Sequence, residues 1–351
     1  MKIVYQIPFL GTLNAYRTIY NGFKNAFEDL GHEFHPYTSD DNLERLLEQI
    51  NPDIFMTQTH FYYQKDLDFK ILQKHRDKGM KVFVKIDFWD TPISGNRINE
   101  AKSLKDDTKT IQLIQDGIYG DAFYYVTEQG DKRMDGFSKT TGYEYYTIPL
   151  AVDSITLKNP EKKDHFKADI SFIGTYLAQK RDYFNEYVFP LKKNYNLKLY
   201  GQDWTKLDRS LGFVQKIGQY FNIPTIKSIR KPKLKLEDEG SIYASSTISI
   251  NVHEDYQREF GGDCNERTFK IPFCNGFEIT DDIACIHKYF KVGEEIIVAE
   301  NKQDWFDKIN YYIQNPDKRL EIIKKGKARV AKDHTYHNRV KDILNIYKNL
   351  V

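Results

Sequence analysis

The sequence predicts an α/β protein made of two Rossmann-like domains in series. Short β-rich runs alternate with amphipathic stretches through the first half, the pattern lapses between Ala151 and Lys167, and the same alternation then begins again. At 351 residues the chain is long for one ordinary domain and sufficient for two, each with its own core. Hydrophobic residues make up 40% of it, with 23 Phe and 25 Tyr, enough apolar material to offset backbone ordering.

In order, the first half reads KIVYQIPF as a strand, Ala15 to Leu30 as a helix, HEFHPY as a strand, Asp41 to Ile50 as a helix and DIFMTQ as a strand. A helix over Leu67 to Lys78 stops at Gly79. It is followed by the strand KVFVKIDF, a polar segment around Ser94 to Lys109, the strand AFYYVT, a helix beginning near Glu128 and the strand YEYYTIPL. Strands separated by helices favour a parallel sheet covered on both faces. The polar AVDSITLKNPEKKDHFK has no hydrophobic period and reads as an interdomain linker. Beyond it come the strand ADISFIG, a helix from about Lys180 to Asn194, the strand LKLYG, an irregular stretch and the strand STISINVH. A glycine-containing turn, the strands GFEITD and EIIVAE, and helices after Gln303 complete the half. The last helix, Tyr336 to Leu350, offers Val340, Ile343, Leu344, Ile346 and Tyr347 as an apolar face. The domains are drawn at 1–155 and 156–335, with 336–351 a helix that crosses back to the first domain or packs on its own.

Charge and cysteine content exclude several classes. Lys plus Arg (52) nearly cancels Asp plus Glu (50), which is not the field of a generic nucleic-acid binder. The basic run Lys227 to Lys235 adjoins Glu237-Asp238-Glu239 and reads as a solvated loop. Three cysteines without a CxxC pair suggest neither a zinc knuckle nor a complete disulfide framework, and suit a reduced cytosol. The N-terminal MKIVYQIPFLG has no small-residue cleavage site, and no apolar run approaches the roughly 18 residues of a membrane span, so a cytoplasmic location is expected. Asp66-Leu67-Asp68 is formally a DxD, yet it opens a helix, where early acidic residues suit the dipole. His334 and His337 lack a third ligand, so neither a metal nor a cofactor is expected.

Two segments carry the chemistry. Ile170 to Tyr176 is a buried strand ending at Gly174, followed by a turn and the cations Lys180 and Arg181; backbone N–H groups and cations at a strand's carboxyl end suit a diphosphate. The run from Gly261 to Asp281 offers a glycine turn, the polar cluster Asn265, Glu266, Arg267 and Thr268, a short helix and a strand. Neither is a GxGxxG fingerprint, which disfavours a dinucleotide dehydrogenase.

The pieces AFYYVTEQG, IPLAVD, DISFIGTY, LYGQDW, ISINVH, NERTFKIPFCNGFEITDD and HTYHNR, in this order and spacing, resemble the CgeB-like spore-coat glycosyltransferases. The resemblance spans most of the chain and is densest from Asp121 to Asp281. It implies the GT-B architecture, two Rossmann-like domains facing a central cleft, a layout shared with some epimerases and periplasmic binding proteins. It places Gly174, Thr175, Lys180 and Arg181 by the donor diphosphate, and Tyr200, Gly201 and Trp204 near the base. Asn251 and His253 would line the floor of the cleft, with Asn265, Arg267 and Thr268 around the diphosphate and transferred sugar. Asp87 and Asp90 in KIDFWDTP become acceptor-side candidates, joined by His60 at the end of DIFMTQ. Lys270 stands where the family has a ribose-binding glutamate, so Glu266, one helical turn earlier, is a candidate substitute. The implied activity is metal-independent, retaining transfer from a nucleotide sugar as co-substrate to an acceptor the sequence does not identify: polysaccharide, glycolipid, protein or modified nucleic-acid base. Alternatives are a catalytically silent nucleotide-sugar-binding protein, which Lys270 favours, and a GT-B-fold nucleotide-sugar epimerase.

Overall fold

The computed structural model describes residues 1–11, 15–90 and 103–351. The chain divides into two compact units: Met1–Pro149 with Gln219–Asn222 and His337–Val351, and Leu150–Gly218 with Ile223–Tyr336.

The first unit holds a six-stranded sheet in the order β2-β1-β3-β4-β5-β6, with every pair parallel. The strands are β1 (Lys2–Gln6), β2 (Glu33–Tyr37), β3 (Ile54–Gln58), β4 (Lys81–Lys85), β5 (Ala122–Tyr125) and β6 (Tyr145–Thr147). Between them run α1 (Tyr16–Asp29), α2 (Leu43–Ile50), α3 (Phe61–Gln64), α4 (Phe69–Arg76), α5 (Thr108–Gln115) and α6 (Phe137–Thr141). β3 is buried at all five positions, as a central strand covered on both faces must be. Val4, Phe55, Val82, Val84 and Phe123 pack there against Leu47, Leu72 and Ile114 from the helices. Asp68 caps α4 by accepting from the backbone N–H of Lys70 and Ile71, and Asp66 accepts from the Ser39 hydroxyl at 2.5 Å. The two carboxylates of the formal DxD therefore serve local structure.

The second unit repeats the plan with β7 (Ala168–Ile173), β8 (Leu197–Tyr200), β9 (Ser246–Asn251), β10 (Glu278–Asp281) and β11 (Ile297–Ala299), in the order β11-β10-β9-β7-β8. All its pairs are parallel. Its helices are α7 (Arg181–Tyr183), α8 (Lys206–Tyr220), α9 (Leu236–Ser245), α10 (Asp255–Phe260), α11 (Arg267–Phe273), α12 (Ala284–Tyr289), α13 (Lys302–Gln314) and α14 (Pro316–Asp333), and α15 (Tyr336–Leu350) closes the sequence. One face of the sheet packs Ile170, Phe172, Ile248 and Ile279 with Trp305 and Ile309; the other cluster gathers Ile242, Phe269, Ile271, Val298 and Val330. In each sheet the unit's first strand lies between its second and third, which creates a topological switch point at β1/β3 and at β7/β9.

Four local expectations are corrected. The helix over Lys180 to Asn194 is instead α7, a π-helical turn Phe184–Val188 and a 3₁₀ turn Phe189–Lys193; Pro190 has no N–H to continue the ladder. The polar run after Ala151 is docked rather than a free linker: Ala151, Val152 and Leu157 are buried, and Val152 bridges Thr335. The irregular stretch after β8 holds α8 and α9. The helix near Glu128 shrinks to a 3₁₀ turn and α6, because Gly130 and Gly136 sit at φ of 84° and 98°. Of the polar segment around Ser94 to Lys109, residues 94–102 lie outside the described residues, and its end becomes α5. The three cysteines are buried and stand as thiols rather than disulfides.

Candidate functional site

The polar groups of the second unit gather at the β7/β9 switch point. Lys180 Nζ and Arg267 Nη2 both donate to the Val252 carbonyl just past β9, at 2.8 and 3.0 Å. Asn251, the last residue of β9, is fully engaged. Its Nδ2 donates to Thr268 Oγ1 at 3.0 Å and Glu278 Oε1 at 2.8 Å, while its Oδ1 accepts from Arg267 Nε at 3.0 Å and Asn265 Nδ2 at 2.9 Å. That network fixes the guanidinium.

Across from it, the turn after β7 is shaped by two glycines. A Cβ on Gly174 would stand 2.8 Å from the Phe172 ring and 3.3 Å from Arg267 Nη1, so glycine lets the turn pass close to both. Gly201, at φ +119°, brings the end of β8 against Gly174, whose carbonyl a Cβ on Gly201 would strike. Gly174 N–H bonds Tyr200 O at 2.9 Å, and Trp204 Nε1 donates to Gly174 O at 3.1 Å. The Trp204 ring stacks on Tyr176 at 5.0 Å, and the Arg181 guanidinium lies 5.5 Å from the Tyr176 ring centre. Thr175, in the same turn, is half-buried, as are Tyr200 and Trp204.

Burial shifts several charged groups of this cluster. Burial, reinforced by the Arg267 guanidinium, holds the Lys180 ammonium down to about 7 against Glu254 and Asp281. His253 is opposite in character: burial disfavours its cation, but Asp281 Oδ1 at 2.6 Å from Nδ1 raises it above the usual imidazole range. Burial opposes ionisation of Asp281, yet His253 and then Arg258, at 3.0 Å, hold its carboxyl well below the usual range. Burial pushes the Glu278 carboxyl up to about 8 despite the Asn251 hydrogen bond, and its Oε2 has no hydrogen-bond partner among the described residues. Cys264 lies in the same cluster; burial would raise its thiol, but hydrogen bonds with Cys285 and His253 bring it to about 6.

Glu266 and Lys270 are turned on each other rather than toward the glycine turn. Lys270 Nζ lies 3.2 Å from Glu266 Oε2 and 3.1 Å from Glu239 Oε2 of α9, and the Tyr336 hydroxyl donates to Glu266 Oε1 at 2.6 Å. Burial would lower the ammonium, but the two carboxylates raise it above its ordinary value.

In the first unit His60 and Asp87 follow the paired strands β3 and β4. Asp87 exchanges two hydrogen bonds with Thr59: its N–H donates to Thr59 Oγ1 at 2.8 Å and its Oδ2 accepts at 3.1 Å. Burial raises its carboxyl although His60 and Lys85 act in the opposite sense. His60 Nδ1 accepts from Tyr62 N–H at 3.4 Å and its ring stacks on Tyr62. Asp90 is apart from this pair, in a half-exposed ion pair with Lys105 at 2.7 Å.

Gly174, Thr175, Lys180, Arg181, Tyr200, Gly201, Trp204, Asn251, His253, Asn265, Arg267 and Thr268 thus fall around one switch point. Glu278, Asp281 and Arg258 belong to the same cluster, and sequence reasoning does not point to them; the one signal is the acidic pair at the ends of EITD, which reads as a plain strand until its neighbours are known. His334 is a packing residue, stacked on Phe269 and Phe290, while His337 Nε2 pairs with Asp29 at 3.0 Å. Among the described residues no three His, Cys, Asp or Glu side chains form a group that could hold a metal.

Residues 181–345 match a family model described as glycosyl transferase-like. No curated protein matches the chain significantly in sequence. Solved structures share its fold at low identity. An α-glucosyltransferase in complex with UDP-glucose and DNA containing an abasic site superposes with a TM-score of 0.63 at 12% identity, over 99% of each chain. Sucrose-phosphate synthase from Thermosynechococcus elongatus gives 0.64 at 9%, covering 99% of this chain and 98% of that one. The catalytic domain of starch synthase IV from Arabidopsis thaliana, bound to ADP and acarbose, gives 0.61 at 10% over 99% of each. The chain therefore has the GT-B fold seen in these glycosyltransferases, and it is residues 181–345, which include most of the cluster at β9 and β10, that match the glycosyl transferase-like model.

Proposed function

We propose that the protein transfers a sugar from a nucleotide-sugar donor, with the donor held by the second unit at the β7/β9 switch point and the acceptor served by His60 and Asp87 of the first. The finer placement we propose is with the CgeB-like glycosyltransferases, as a retaining and metal-independent enzyme. The observation that carries the reading is the convergence of Lys180 and Arg267 on the Val252 carbonyl beside the Gly174 turn. A fixed guanidinium, beside an amine that a bound anion would keep protonated, suits an anionic ligand past the carboxyl ends of neighbouring strands. A nucleoside diphosphate supplies one whose charge grows as the bond from C1 to the β-phosphate oxygen breaks. In a front-face displacement the acceptor oxygen forms the new bond to C1 and its proton passes to the departing phosphate oxygen, so no protein nucleophile is required. Glu266 and Lys270, joined to Glu239, then support the site rather than touch the ribose.

The test is calorimetric binding of a panel of nucleoside diphosphates and their sugars, with turnover followed in the presence and absence of acceptors. Arg267→Ala is expected to weaken binding about tenfold to a hundredfold, the value of a charge-assisted hydrogen bond, with little change in melting temperature. Wild-type affinity in that variant overturns the site. Binding without transfer or donor hydrolysis favours a silent binding protein; conversion of the donor with no acceptor present favours an epimerase.

A further inference from the structure

Helix α8 is built with its polar side inward. Asp208 and Gln215 are buried, while Leu207, Phe213 and Ile217 are 71, 67 and 38% exposed. The inward face is occupied by the basic segment that follows the helix. Arg230 pairs with Asp203 at 2.9 Å and Asp208 at 3.2 Å, and its N–H donates to Gln215 Oε1 at 3.0 Å. Two glycines admit that segment: a Cβ at Gly212 would collide with the Arg230 guanidinium, and one at Gly218 would stand 2.6 Å from the Lys227 backbone nitrogen. A helix that spends its polar residues on its own neighbour and turns Phe and Ile outward is the reverse of an ordinary surface helix.

Charge says what covers the outward face. From Lys206 to Lys235 there are eight Lys or Arg against the single Asp208, so the segment carries +7 in a chain that totals +2, and the rest of the protein carries −5. On the helix itself, Lys206, Phe213, Lys216 and Ile217 are exposed and fall on one side at 100° per residue. Exposed Lys231 and Lys235 follow, while Lys233 between them reaches back to Asp208 at 2.9 Å. Apolar side chains flanked by cations match an anionic bilayer, whose headgroups meet the lysines while Phe and Ile enter the acyl boundary. A nucleic-acid backbone would satisfy the cations and leave Leu207 and Ile217 without apolar contact.

We propose that α8 and the basic segment behind it form a docking surface for an anionic membrane. The proposal does not depend on the transferase reading, and its test needs no activity. Flotation of the full chain with vesicles rich in phosphatidylglycerol is compared with flotation on phosphatidylcholine alone, at low and physiological salt. Binding is expected on the anionic vesicles only. Phe213→Ser combined with Ile217→Ser should reduce it more than about tenfold, and so should Lys231→Glu with Lys235→Glu, since each cation near such a surface is worth several-fold in partitioning. Both pairs lie at exposed positions, and melting curves matching wild type establish that the fold is intact; should the apolar pair melt early, the lysine pair alone decides. The proposal is overturned if wild type does not float with anionic vesicles, or if both variants float as wild type does. It is equally overturned if duplex DNA competes the vesicles off with undiminished affinity for the serine variant, or if sedimentation shows a dimer that this variant abolishes.

Discussion

Lys180 is the side chain whose state sets the behaviour of the proposed donor site, because burial and Arg267 bring its ammonium to about 7 when no anion is present. The unfolded chain holds that proton up to about pH 10.5, so between about pH 7 and about pH 10.5 unfolding takes up a proton and stability rises with pH. Diphosphate binding has the opposite sense, since a bound anion favours the charged ammonium. Above about pH 7 the complex must take a proton from solution, and the affinity for UDP is expected to fall by up to about tenfold per pH unit. Lys180→Met should remove that slope. Titration by calorimetry in two buffers of different ionisation enthalpy checks proton uptake directly, and an affinity that stays flat above neutrality in the wild type refutes the assignment. At this scale the sequence is legible where a residue's partner is a near neighbour in the chain: Glu266 and Lys270, one helical turn apart, pair at 3.2 Å. It is illegible where the partner comes from elsewhere. Nothing in NERTFK announces that Lys270 will be claimed by Glu239 of α9.

Elements were legible in proportion to their periodicity. Every strand of both sheets follows a β-rich run, whereas the segment from Lys180 to Asn194 reads as one helix and instead passes from α7 into a π turn at Phe184 and a 3₁₀ turn holding Pro190, which lacks the N–H to continue the ladder. α8 was missed for a different reason. Its exposed face carries the apolar side chains, so a search for an apolar stripe beside a polar surface finds no inward face. The loop between β8 and α8 illustrates how one backbone position holds two elements together. Gly201→Ala would force a Cβ into the Gly174 carbonyl at a φ of +119°, where L-residues are strained. The expected loss is about 1–3 kcal/mol of stability, together with weaker nucleotide binding as the Gly174 turn shifts. Denaturant unfolding and calorimetry on the same preparation separate the two effects. An alanine variant that matches wild type in both removes the turn from the site.

On the scale of the whole molecule, the near-neutral total charge hides a strong local separation: +7 between Lys206 and Lys235 against −5 in the rest. In the proposed donor site Lys180 and Arg267 would take the part of a divalent ion beside a leaving diphosphate, so EDTA is expected to leave the transfer rate unchanged. Activity lost on chelation and recovered with manganese would refute that expectation. Both sheets place a switch point at the first and third strands, and this regularity is why the restart after the polar segment could be recognised in the sequence. The boundary could not: Leu150 to Leu157 has the composition of a linker but supplies core residues to the second unit.

The first unit also takes its closing helix from the other end of the sequence, since His337–Val351 groups with Met1–Pro149, Arg339 Nε donating to the Pro149 carbonyl at 2.8 Å. A ribosome delivers residues in order, at roughly 5–20 per second, and domains ordinarily fold as they emerge. Here the part synthesised first must wait, with the seat of α15 uncovered, while the second unit is made in full. The amino-terminal half is thus the last to be finished, and a nascent chain stalled anywhere before His337 presents an open apolar surface to the cell's chaperones.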